Sequence, residues 1–173
     1  MKVGCCGFPG GMRSYFSRFE IVEVQQTFYQ PPRMETALRW RREAPADFEF
    51  AIKAWQLITH PPSSPTYRRA RVEIGRDFIF VWEPRGVWND ELVRELCKEL
   101  DLVHCVDPTL RTPFYGRMRY FRLHGGPGYR HVHTDEELER LKGVVGEGET
   151  YFMFNNLNMC DDALRLRNMI GYG

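Results

Sequence analysis

The sequence predicts an α/β fold: a barrel-like sheet of about seven mainly parallel strands, incomplete or gapped, in a single domain over residues 1–173. Three observations lead there. Strand-like and helix-like stretches alternate along the chain, which implies right-handed βαβ crossovers and parallel pairing. The strand count approaches the eight of a closed β/α barrel. Charged residues sit near the carboxyl ends of several strands, the rim where such barrels place their sites. An open doubly wound sheet is the competing architecture. It would want a G-x-G-x-x-G turn after the first strand, and Gly7-Phe8-Pro9-Gly10-Gly11 does not supply one.

Val3 to Phe8 reads as the first strand and Met12 to Phe19 as a short helix. Ile21 to Phe28 is β-branched and apolar, hence a strand. Met34 to Glu43 carries Ala37, Leu38 and Arg41 at helical spacing and stops before Pro45. Phe48 to Trp55 is a strand, His60 to Pro65 a Pro/Ser loop, and Asp77 to Glu83 a strand of high β propensity. Asp90 to Leu100 is the clearest helix: Asn89 caps it, Asp90 and Glu91 suit its first turn, and Leu92, Leu96 and Leu100 form a stripe. Leu102 to Val106 and Met118 to Leu123 are strands. Thr134 opens a helix through a capping box completed by Glu137. Tyr151 to Phe154 is the last strand and Asp161 to Ile170 the last helix.

With 43% hydrophobic and 27% charged residues, the chain has material for a core and is not of disordered composition. Its 24 basic and 23 acidic residues leave a net charge of +1, which gives no electrostatic reason to propose nucleic-acid or membrane-surface binding. Apolar runs are of strand length, and the start Met-Lys-Val-Gly-Cys-Cys-Gly is no signal peptide, so a cytoplasmic protein is expected. The five cysteines form no CxxC pair, and an odd count in that compartment points to free thiols.

Parallel strands covered on both faces normally read as apolar runs. Here Glu23 and Gln25 share a face of one strand, and Lys53 lies in the next. Glu83 and Arg85 share a face in the Trp-Glu-Pro-Arg stretch, Asp107 ends Cys-Val-Asp, Arg122 and His124 share a face, and Asn155 and Asn156 end Phe-Met-Phe-Asn-Asn. A bare charge against packed helices costs several kcal/mol, so these groups are expected inside the rim. There Lys53, Arg85 and Arg122 would hold anionic groups of a small-molecule ligand, Glu83 or Glu23 would be the general base, and His124 the general acid or its orienter. The plainer reading is a structural ion-pair network.

A divalent metal fits the ligand types of Glu23, Glu83, Asp107 and His124, but Lys53, Arg85 and Arg122 would repel a cation, so metal is not favoured and no cofactor is assigned. His131 and His133 alternate without a partner pair and read as a solvated loop. His60 either orients a ligand or bonds its Pro-rich loop, and His104 reads as a satisfied core histidine. Cys5 and Cys105 are expected as small buried hydrophobes. Trp55, Trp82, Trp88, Phe28 and Tyr29 are expected mostly in the core. Arg68-Arg69-Ala70-Arg71 reads as a solvated face.

The same strand ends carry a family resemblance. Val22-Glu23-Val24-Gln25-Gln26-Thr27-Phe28-Tyr29, the block from Arg39-Trp40 through Lys53 to Thr59-His60, Glu83-Pro84-Arg85 with Trp88, Arg122-Leu123-His124-Gly125 with Tyr129, and Phe154-Asn155-Asn156 together resemble the DUF72 (YecE-like) family. The resemblance implies a TIM-barrel-like fold with a polar cavity and no settled reaction. It extends the candidate ligand-binding set to Lys53, His60, Arg85, Trp88, Asp107, Arg122, Tyr129, Asn155 and Asn156. About twenty residues join His60 to Phe80, too few for the helix–strand–helix segment usual in the family. One βα unit is therefore expected to be absent, leaving a gapped barrel or an edge covered by a homo-oligomer partner.

Overall fold

A computed structural model describes residues 1–55 and 78–171. Their contacts cluster into two compact units: Met1–Cys5 with Ile79–Gly173, and Cys6–Phe78.

The larger unit holds β1 (Lys2–Cys5), β4 (Val81–Trp82), α3 (Asp90–Glu99), β5 (Val103–His104), β6 (Arg119–Leu123), α4 (Asp135–Lys142), β7 (Thr150–Phe154) and α5 (Met159–Met169). β7 lies between β1 and β6, with Phe152 in register with Val3 on one side and Phe121 on the other. β4 pairs with β5, and a single bridge from Val106 to Phe121 connects that ladder's end to β6. Each of these pairings is parallel. β7 is buried along its whole length, as a strand paired on both edges and covered on both faces should be. Phe121 stacks on Phe152 at 5.3 Å, and Leu123, Leu138, Phe154 and Leu166 complete the core.

In the smaller unit, α1 (Met12–Phe16) and α2 (Met34–Glu43) accompany β2 (Ile21–Val24) and β3 (Glu49–Ile52), which pair in parallel with Val22 opposite Phe50. Phe8, Tyr15, Phe16, Phe48 and Phe50 make its aromatic core through edge-to-face contacts, and Phe19 packs at a tilt on Tyr15 at 4.6 Å. The Tyr15 hydroxyl, fully buried, donates to the Ile21 carbonyl at 2.7 Å.

The mixed α/β class and parallel pairing are as expected. A single sheet of about seven strands is not confirmed, because among the described residues β4 and β5 are two-residue ladders and one bridge ties them to β6. Of the strand expected over Asp77 to Glu83, the described residues form a ladder at Val81–Trp82, and the second strand ends at Val24, with Gln26–Phe28 in a 3-10 helix. The apolar stripe of α3 is displaced by one residue: Val93 and Cys97 are buried, while Leu92 and Leu100 are exposed. One residue is 100° of helix rotation, enough to exchange faces. The Asn89 cap and the Thr134–Glu137 capping box form as expected. Cys5 and Cys105 are buried, as are Cys6 and Cys97, and Cys160 is half-buried. Tyr29 and Trp88 are exposed and Trp55 and Trp82 are only half-buried, against the expectation of core aromatics: the Trp55 and Trp88 indoles donate instead to the Tyr29 and Arg85 carbonyls. The Pro/Ser loop and Arg68 to Arg71 lie outside the described residues. Among the described residues, no helix is long and apolar enough to cross a membrane.

Candidate functional site

Because β4 to β7 run parallel, the residues that follow them emerge on one side of the larger unit. Glu83 follows β4, Asp107 follows β5, His124 follows β6 and Asn155 follows β7. They form a continuous network. Arg122 donates from Nη1 to Glu83 Oε2 at 2.7 Å, and Arg85 donates to the same oxygen at 3.1 Å. His124 Nε2 lies 2.6 Å from Glu83 Oε1, and Asn155 Nδ2 lies 3.2 Å from His124 Nδ1. The His124 backbone N–H donates to Asp107 Oδ2 at 3.2 Å.

Burial alone would raise the Glu83 carboxyl, but the His124 hydrogen bond and the Arg122 guanidinium outweigh it and hold the group down to about 2. Glu83 is therefore ionised at neutral pH and can only accept. The Glu83 contact calls for a proton on His124 Nε2, which Arg85 Nη2 also approaches at 3.3 Å, and Nδ1 faces the Asn155 amide, so both ring nitrogens are engaged. Arg122 is nearly buried, whereas the Arg85 side chain is 64% exposed. Trp88 donates to the Arg85 carbonyl and packs edge-on against Trp82. Tyr129 stands edge-on to His124 at 6.2 Å.

A cavity of about 340 Å³ opens beside this network, lined by Asp107, Thr109, the Gly125–Gly126–Pro127 turn, His131, His133 and Glu137. Gly125 is required there: its φ is +68°, and a Cβ would come within 2.6 Å of Asn156 Cβ. Asp107 Oδ1 accepts from the Thr109 backbone and hydroxyl at 3.0 and 2.7 Å.

The far wall of the cavity rests on a second network. His133 is not in a solvated loop: its side chain is only 4% exposed, because Asp162 in the first turn of α5 captures it. Asp162 Oδ2 accepts from His133 Nδ1 at 2.9 Å, from the His133 backbone at 3.2 Å and from Asn156 Nδ2 at 2.7 Å. Its Oδ1 accepts from Asn158 and Arg165 at 2.9 and 3.2 Å. Burial opposes ionisation of Asp162, yet the donors from His133, Asn156 and Asn158 prevail and lower its pKa. His131, more exposed, meets Glu137 Oε2 at 2.7 Å.

The other expected residues have different places. Glu23 and Lys53 belong to the smaller unit, where Gln25 bridges them: its amide nitrogen bonds Glu23, and Lys53 Nζ donates to its Oε1 at 3.2 Å. Lys53 also lies 4.6 Å from the Phe28 ring centroid. Asn156 belongs to the Asp162 network and holds the His131 carbonyl at 2.8 Å. His60 lies outside the described residues. His104 is fully buried: its Nδ1 accepts from the Phe114 backbone at 3.0 Å, while its Nε2 has no partner among the described residues. Among the described residues, no group of three or more His, Cys, Asp or Glu side chains is arranged to hold a metal.

Sequence reasoning missed His133, Asp162, Glu137 and Thr109. The signal for Asp162 was its place in a helix first turn, three residues before Arg165.

The family model for "Protein of unknown function DUF72" matches residues 9–101. A crystal structure of a DUF72 family protein from Enterococcus faecalis V583 is similar at a TM-score of 0.76 and 18% identity, over 99% of this chain and 98% of that one. A second crystal structure of that protein gives 0.80 and 17%, over 99% and 96%. At such identities the likeness concerns the fold. No curated protein matches the chain.

Proposed function

The chain belongs to the DUF72 family, and from that premise we propose that it binds a small polar, hydroxyl-bearing ligand, sugar-like in chemistry, in the cavity at the strand ends of the larger unit. The observation that carries this reading is the character of the lining. Its side chains are carboxylates, imidazoles and a hydroxyl, and among the described residues neither Arg nor Lys contributes to it. A carboxylate offers about four acceptor positions. Asp107 uses three of them on Thr109 and the His124 backbone, which leaves one for a ligand. Glu137 takes both its Thr134 and His131 contacts on Oε2, which leaves Oε1. An acceptor-rich wall matches a ligand rich in O–H donors and repels phosphate. The volume suits one sugar-sized molecule.

In this reading Glu83, Arg122, His124 and Asn155 form a frame that fixes Asp107 and the Gly125 turn, with Arg85 at its exposed rim. A second reading makes Glu83 and His124 the reacting pair. The 2.6 Å contact between them favours it, while the occupation of both His124 nitrogens argues for the frame.

Saturation-transfer NMR with neutral monosaccharides and sugar phosphates tests the proposal. Neutral sugars should bind, sugar phosphates should not, and Asp107→Asn should weaken binding roughly tenfold, a loss of about 1.4 kcal/mol. Preference for the phosphates would overturn the acceptor-wall argument. Binding of neither class would leave the strand-end groups as a structural network.

A further inference from the structure

We propose that His133, positioned by Asp162, is the proton-accepting side chain of this cavity. The inference rests on the reading of the cavity as a ligand site and assigns the group that would do chemistry there.

The geometry begins with Asp162, whose side chain is 0% exposed and whose two oxygens face only donors: His133, Asn156, Asn158 and Arg165. Such a carboxylate is an acceptor. His133 must then place its ring proton on Nδ1, pointing at Asp162 Oδ2. In the neutral ring the lone pair is then on Nε2, which takes none of the Asp162 contacts, and His133 is one of the residues that line the cavity. The ring is fixed in two further ways. Its backbone N–H donates to the same carboxylate oxygen, and its carbonyl accepts from Arg165 Nη1 at 2.7 Å. The Phe154 ring stands perpendicular to it at 5.5 Å, and the His131 ring stands 5.1 Å away. A core strand and a helix first turn thus hold one imidazole with its basic nitrogen toward a polar space. That is the arrangement in which a carboxylate orients a general base and stabilises the imidazolium it becomes. His124 is the opposite case, with both nitrogens engaged.

The step balances without a co-reactant. A ligand O–H bond breaks as an Nε2–H bond forms, the oxygen keeps the electron pair, and Asp162 faces the resulting imidazolium. The proton returns to the ligand or to water on release. The substrate class is a hydroxyl-bearing small molecule whose reaction begins with loss of a hydroxyl proton.

Diethyl pyrocarbonate is a suitable probe because it acylates an imidazole nitrogen that carries a lone pair and releases ethyl carbonate, with no need for a ligand. Peptide mapping of the intact protein should show His133 modified several-fold faster than His104, which is fully buried, and His124, whose nitrogens are bonded. Asp162→Asn should slow that reaction, and the ring's 15N signature should lose the Nδ1–H pattern. His131 should react as before. Modification of His133 no faster than His104 would overturn the proposal whatever sugars do. Rapid modification that neutral monosaccharides slow supports both proposal and ligand reading. Rapid modification untouched by any of them supports the oriented base and counts against the sugar-like ligand alone.

Discussion

Asp162 and Glu83 each accept a hydrogen bond from an imidazole, yet their surroundings differ. Asp162 is sealed from solvent and held mainly by neutral donors, with one guanidinium at its edge. Glu83 is 17% exposed and is held by two guanidinium groups. The first arrangement leaves a ring nitrogen for the cavity, and the second leaves none on His124. A carboxylate–imidazole contact is therefore not a function by itself. What matters is which nitrogen it takes and where the other one points.

The contrast is sharpest in stability. Asp162→Ala strips a buried carboxylate from several donors at once and should cost roughly 3–5 kcal/mol in urea unfolding. An effect below about 1 kcal/mol would mean that water reaches the cluster. The Glu83 pair responds to acid. Its folded value near 2 lies below the ordinary 4.5, so its stabilisation is fully present above about pH 4.5 and is lost as pH falls toward 2. The loss should approach about 3 kcal/mol at most. Glu83→Gln, measured by urea unfolding at neutral pH, should cost roughly 1–3 kcal/mol and flatten that acid limb. An unchanged limb would shift the acid sensitivity to Asp162, whose lowered pKa acts in the same direction.

Smaller effects separate the shared turn from the rim. Gly125→Ala combines a positive φ with a clash at Asn156 and should lower thermal stability by more than about 1 kcal/mol. Arg85→Ala removes an exposed partner and should change it by no more than about 1 kcal/mol. A larger Arg85 effect would mark it as part of the frame and not a rim charge.

Much of the Glu83 network was legible in the sequence. Glu83, Arg85, Asp107, Arg122, His124 and Asn155 interrupt apolar strands at their carboxyl ends, and parallel topology brings such ends together. The Asp162 network was not legible. Its partners, His133 and Asp162, lie 29 residues apart on a loop and a helix, and no local pattern links them. The His-Val-His alternation carried no sign that one ring would be buried and the other exposed. The α3 stripe failed for a related reason. Leu92, Leu96 and Leu100 match helical spacing as well as Val93 and Cys97 do, and only the packing selects between them. Glu23 and Lys53 were chosen by the same rule as Glu83 and meet through Gln25 in the smaller unit.

The most direct measurement is a long-range 1H–15N spectrum of the histidine rings at neutral pH. The account predicts opposite neutral tautomers: His124 with its proton on Nε2 against Glu83, and His133 with its proton on Nδ1 against Asp162 and an unprotonated Nε2 that shifts when a neutral monosaccharide is added. His133 carrying its proton on Nε2, or averaging between tautomers, would contradict the claim that Asp162 presents a fixed base to the cavity.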